Sequence, residues 1–237
     1  MITLPVKNSS TPYIVQPSKI IAMGLNYRDH ITESVTAKVR GFTDDIPSEP
    51  IIFSKTTNVL IGPEEPIVIP KFLKSYAFEN QRTDYEAELA LIIGRICKDV
   101  TPDTAMDHIL GYTCMNDVSQ RNFQNRDQSG WFRGKSLDTF GPIGPCLVLA
   151  RDIPSPQNLE IRCRLNGKTV QSANTSQMIF SIAEIVAFIS KHITLVPGDI
   201  VITGTPAGVG ALHHGDVVEV EIEQIGVLRN PVIDESV

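Results

Sequence analysis

Cysteine is scarce in this sequence: there are four in 237 residues. Cys97, Cys114, Cys146 and Cys163 have neither CxxC spacing nor the density of a disulfide scaffold, so reduced, mostly buried thiols in a cytoplasmic protein are expected. No apolar run approaches the length needed to cross a bilayer. The opening MITLPVKNSS carries one lysine and no apolar stretch, which is not the pattern of a secretory signal. Neither a membrane partner nor export is therefore expected. Lys and Arg number 21 against 27 Asp and Glu, for a net charge of −6, and no basic stretch stands out. That argues against nucleic acid as a partner. Internal repeats and low-complexity tracts are missing, which sets aside solenoids and long linkers. The strand–helix–strand alternation of a parallel sheet is missing too.

What is present suits one globular core. Hydrophobic residues make up 42% and charged residues 20%. Many apolar runs are short, β-branched and bounded by turn residues. KIIAMGL (19–25), PIIFSK (50–55), PIVIP (66–70), CLVLA (146–150), IRCRL (161–165), DIVIT (199–203) and VVEVEIE (217–223) all read as strands. Asn166-Gly167 is a two-residue hairpin signal. Short helices are expected over 26–36, 102–109 and 119–125, and a longer one over 179–193, where Ile182, Ile185, Val186 and Ile189 form one stripe. The fold class expected is mainly β with some α.

The segment from Asp84 to Ile93 carries the most chemistry. As a strand it sends Glu86 and Glu88 to one side, and Tyr85, Ala87, Leu89, Leu91 and Ile93 to the other. Two neighbouring carboxylates repel, and a cation between them relieves that repulsion. The plainer alternative is a solvated strand face at a sheet edge. Asp117 supplies a third carboxylate at the end of the apolar strand GYTCMND, with a helix N-cap as its alternative role. Three carboxylates without nearby His or Cys suit an octahedral, oxygen-preferring Mg²⁺ or Mn²⁺ rather than zinc.

Other candidates are weaker alone. His30 and Glu33 are three apart, so on a helix they share a face, and a His oriented by a carboxylate can serve as a general base. Lys135 lies in a Gly-Lys-Ser sequence, but a phosphate loop needs a glycine where Ser129 stands. A lysine there can still neutralise a substrate anion. The glycines of Thr203–Gly210 lack the dinucleotide arrangement, so their functional use would be close approach of backbone to a ligand.

Taken in order, GLNYRDHITE, SEPIIFSK, DYEAELALIIG, GYTCMNDVSQRNFQ, RGKSLDTFGPIGP, LNGK, SQMIFSIAEIV and LVPGDIVITGTPAGVG resemble the catalytic domain of the fumarylacetoacetate hydrolase family. The resemblance runs from about Lys19 to the C-terminal strands, which divides the chain into an N-terminal segment, 1–18, and a catalytic domain, 19–237. It implies a mixed β-roll or sandwich with peripheral helices, forming a homodimer. It implies that Glu86, Glu88 and Asp117 bind Mg²⁺ or Mn²⁺. It places His30 and Glu33 on a lid over the substrate, Arg121, Gln124 and Thr205 against the substrate, and Lys135 in the active site. The implied activity is hydrolysis of the C–C bond of acylpyruvate-type 2-oxo acids. Isomerisation of 2-hydroxyhepta-2,4-diene-1,7-dioate and decarboxylation of oxaloacetate are alternatives at the same site. Residues 34–48 contain Gly41, Pro47 and many polar side chains, as a mobile lid would, so without ligand His30 and Glu33 are expected to stand away from the metal site or to be poorly ordered. Ser119-Gln120-Arg121-Asn122 stands where relatives commonly read Ser-Ala-Arg-Asp, and Thr56 where Pro is frequent.

Overall fold

A computed structural model describes residues 1–33, 46–126, 128 and 131–236, with backbone alone for Thr32 and Glu33. Its centre is a seven-stranded sheet in the order β4 (Ile51–Lys55), β3 (Ile20–Gly24), β14 (Ile200–Ile202), β8 (Ala87–Ile93), β9 (Ile109–Asn116), β11 (Gly141–Leu149) and β5 (Leu60–Ile61). A five-stranded sheet has the order β13 (Lys168–Asn174), β12 (Glu160–Leu165), β16 (Val217–Ile222), β17 (Gly226–Asp234) and β6 (Ile67–Ile69). Three pairs, β3–β14, β5–β11 and β6–β17, are parallel and the others within these sheets are antiparallel. This is the expected mixed, mainly β architecture.

Strand β8 is buried on both faces. Ala87, Leu89, Leu91 and Ile93 of β8 pack with Ile161, Cys163, Val218, Val220 and Ile222 of the second sheet. Ala90 and Ile92 point the other way, into a cluster with Leu4 and Val15. Those two residues belong to a small hairpin, β1 (Ile2–Leu4) and β2 (Tyr13–Val15), laid against the large sheet. Alternation thus holds, but neither face of β8 meets solvent anywhere along the strand.

Among the described residues, five short or medium helices flank the sheets: α1 (Arg28–Glu33), α2 (Pro102–Ala105), α3 (Arg121–Arg126), α4 (Phe132–Lys135) and α5 (Ile182–His192). α5 begins at Ser181, whose hydroxyl accepts from Glu184 N–H while Glu184 reaches back to the Ser181 N–H. Its predicted stripe, Ile182, Ile185, Val186 and Ile189, is fully buried. The helix predicted over 102–109 is instead α2 followed by a 3₁₀ turn, Met106–His108, because Ile109 already enters β9. The hairpin at Asn166-Gly167 is present, with both residues at positive φ (52° and 79°), as a type I′ turn demands.

Candidate active site

The register between β8 and β9 brings the acidic residues together. Ala87 pairs with Asn116, so Glu86 and Asp117 lie side by side just beyond the paired residues. The Asp117 N–H donates to the Glu86 carbonyl at 2.9 Å, and the Glu86 N–H donates to Asn116 Oδ1 at 2.9 Å. Glu86, Glu88 and Asp117 each offer an oxygen within 4.8 Å of the others, and all three are buried. A solvated sheet edge is thereby excluded. An N-cap role for Asp117 is also excluded, since α3 starts at Arg121, after the short strand β10 (Ser119–Gln120).

Cations surround two of the three carboxylates. Lys135 Nζ lies 2.7 Å from Glu86 Oε2 and 2.6 Å from Asp117 Oδ2. Arg121 uses Nη2 on Glu86 Oε1 (2.5 Å), Nε on Asp84 Oδ2 (2.8 Å) and Nη1 on Gln124 Oε1 (2.8 Å). Lys55 Nζ lies 2.6 Å from Asp117 Oδ1. Burial pushes the Glu86 carboxyl upward, but Lys135 and Arg121 outweigh it and hold the group far below the usual carboxylate range. Lys135 shows the mirror image: burial opposes its charge, yet Asp117 and Glu86 raise it above the ordinary lysine value.

Glu88 is the exception. Among the described residues it accepts one hydrogen bond, from the Gly204 N–H at 2.6 Å. Burial, then the charges of Asp117 and Glu86, push its carboxyl well above the ordinary value. Four buried carboxylates, those of Asp84, Glu86, Glu88 and Asp117, thus face three buried cations, Lys55, Arg121 and Lys135. An all-oxygen donor set with surplus negative charge on Glu88 is what a divalent cation would neutralise, so these residues fit Mg²⁺ or Mn²⁺. Gly204 makes the contact possible: its φ is +91°, and a Cβ there would come within 2.8 Å of Asn26 Cβ. The backbone of the 203–210 loop is thus brought against Glu88.

A narrow cleft opens over this corner, lined by His30, Glu86, Glu88, Arg121, Gln124, Lys135 and Thr205, with Met23, Gly24, Leu25, Phe53 and Trp131 as an apolar wall. Every predicted site residue except Glu33 and Asp117 lines it. Asp117 lies beneath, against Lys135, and the Glu33 side chain lies outside the described residues. His30 is only 6% exposed and lines the same cleft as Glu86 and Glu88, so it does not stand away from them as one of the two expectations had it. The cause is local: Ile31 is anchored with Leu25 in a small apolar cluster, and the His30 N–H caps onto the Tyr27 carbonyl, which fixes the start of α1. Most of the predicted lid, residues 34–45, lies outside the described residues. The sequence reading missed Lys55, Asp84 and Gln171. Gln171 holds Thr205 in place, donating to its Oγ1 (2.9 Å) and to the Pro206 carbonyl (2.7 Å) while accepting from the Ala87 N–H (3.1 Å).

Comparison with known proteins gives consistent matches. The family model described as fumarylacetoacetate (FAA) hydrolase C-terminal matches residues 19–233. A mitochondrial oxaloacetate tautomerase of Xenopus laevis is 44% identical over 228 residues, covering 93% of this chain and 67% of that protein. The structure of a 5-carboxymethyl-2-hydroxymuconate delta-isomerase from Mycobacterium smegmatis matches at 39% identity and a TM-score of 0.79, covering 93% of this chain and 78% of that one. Fumarylpyruvate hydrolase from Pseudomonas aeruginosa, solved with Mn²⁺ and pyruvate, matches at 29% identity and a TM-score of 0.82, covering 99% and 96%.

Proposed function

The chain belongs to the fumarylacetoacetate hydrolase family of enzymes, and on that premise we propose that it acts at C3 of short 2-oxo acids, interconverting the keto and enol forms of oxaloacetate or a close analogue. The observation that carries this reading is the convergence of one buried histidine, one buried lysine and the three-carboxylate corner on a single narrow cleft. Glu86, Glu88 and Asp117 would hold a divalent ion, which supplies Lewis-acid polarisation of the 2-oxo group. Lys135, itself buried, stabilises negative charge developing on the substrate's C2 oxygen. Thr205, fixed by Gln171, orients the substrate carboxylate. His30 carries the proton to and from C3, so that the enol O–H proton lost is balanced by the C–H formed. This reaction needs one proton carrier and an anion-stabilising corner, both of which the described residues provide.

Hydrolysis of an acylpyruvate is the second reading, favoured by the likeness to fumarylpyruvate hydrolase along nearly the whole of both chains. There His30 takes a proton from water attacking the C4 carbonyl, and the C3–C4 bond breaks to give pyruvate and a carboxylic acid. That step needs His30 as an oriented base, and orienting it is the role Glu33 would have. The deciding experiment follows decay of enol-oxaloacetate by absorbance, and pyruvate release from acetylpyruvate, both with Mn²⁺. Enol decay accelerated by the wild type, and slowed about 10²- to 10⁴-fold in His30→Ala, is the expected result. Pyruvate release without enol turnover would select hydrolysis, and inertness towards both substrates would defeat the reading.

A further inference from the structure

Strand β4 inverts the usual pattern of burial. Ile51, Ile52 and Phe53 are half-buried and Ser54 is exposed, while the one fully buried residue is the charged Lys55. Its side chain has no exposed surface. A lysine buried this deeply persists only if its charge is paired and its donors find acceptors. Asp117 Oδ1 forms an ion pair with Nζ at 2.6 Å, the Val118 carbonyl accepts at 3.4 Å, and the Lys135 carbonyl accepts a short hydrogen bond. These partners come from two separate segments of the site, the turn that carries Asp117 and the end of α4 that carries Lys135. The strand also places the Phe53 ring 5.0 Å from the Lys135 ammonium. Departures from local rules of this kind gather at functional sites.

We propose that Lys55 is a positioning residue of the metal centre. By pairing with Asp117 through Oδ1, it leaves Oδ2 to Lys135. By holding the Lys135 backbone, it fixes the segment from which the Lys135 ammonium reaches both acids. The inference goes beyond the reading above, which gives Lys55 no part, and rests on it for the presence of a divalent ion. It differs from simple charge balance, in which any removal of positive charge would leave the acids a better site for a dication.

The two accounts predict opposite results. Calorimetric titration of the full chain with Mn²⁺ should show Lys55→Met binding about 10- to 100-fold more weakly than wild type, the usual cost of losing a residue that orients a ligand. Equal or tighter binding would overturn the positioning role. A wild-type protein that binds no Mn²⁺ would instead overturn the metal reading, and this proposal with it. If Lys55→Met does not fold, the wild type suffices: with ¹⁵N-labelled lysine, the Lys55 ammonium protons should exchange slowly with solvent both before and after Mg²⁺ is added. Exchange as fast as that of a surface lysine, in either state, refutes the clamp.

Discussion

At the scale of single residues, the acidic corner holds unrelieved repulsion at Glu88. Glu88→Gln keeps an acceptor for the Gly204 N–H and removes the charge that Asp117 and Glu86 oppose. Without metal, the variant should therefore melt no lower than wild type. It should lose the stabilisation that an ion provides, which at a free concentration 100 times Kd is about 2.7 kcal/mol. Thermal melts of both proteins with and without Mn²⁺ test this, and an equal Mn²⁺-dependent shift in the two would exclude Glu88 as a ligand. The pairing of Glu86 with Glu88 was legible because strand alternation is a strict period. Lys55 was not, because a lysine closing an apolar strand looks like the polar end of that strand. Its burial depends on Val118 and on Lys135, 80 residues away in sequence.

At the scale of elements, parallel strands β3 and β14 are tied at their beginnings by one side chain. Asp199 accepts from Ser18 Oγ (2.6 Å), the Ser18 and Lys19 N–H groups (3.1 and 3.2 Å), the Val196 N–H (2.8 Å) and Lys19 Nζ (2.5 Å). Burial would raise its carboxyl, but the bonds from Lys19, Ser18 and Val196 outweigh that and lower it. Because the folded value lies below the unfolded value of about 3.9, the contribution is present above that pH and is lost as pH falls through the folded value. Asp199→Asn should cost about 1–3 kcal/mol at neutral pH. Urea denaturation should show the gap from wild type narrowing below about pH 4, and a gap that stays constant to pH 3 would contradict this. Strand cores with unbroken β-branched runs were readable in advance, as was α5 from its stripe. β17 was not, since Asn230-Pro231 interrupts its pattern. Asn230 is nonetheless buried, donating to the Gly62 and Glu65 carbonyls at 2.9 and 2.8 Å.

At the scale of the whole molecule, the β1–β2 hairpin covers the face of the large sheet that the second sheet leaves open. Leu4 is fully buried there, so Leu4→Ala should destabilise the entire fold by about 2–5 kcal/mol, as for other large-to-small core changes. A chemical denaturation midpoint unchanged from wild type would show the hairpin to be a separable flap. No helix among the described residues is long and apolar enough to cross a membrane. The three acids hang from two adjacent central strands, whereas His30, Lys135 and Thr205 come from helices and a loop around them. Descent can therefore alter the two parts at different rates. Substitutions around the rim are expected to change which bond a substrate presents to the corner without disturbing the strands that hold it. Proteins similar to this chain bear the names of a tautomerase, an isomerase and a hydrolase, three reactions around one kind of scaffold.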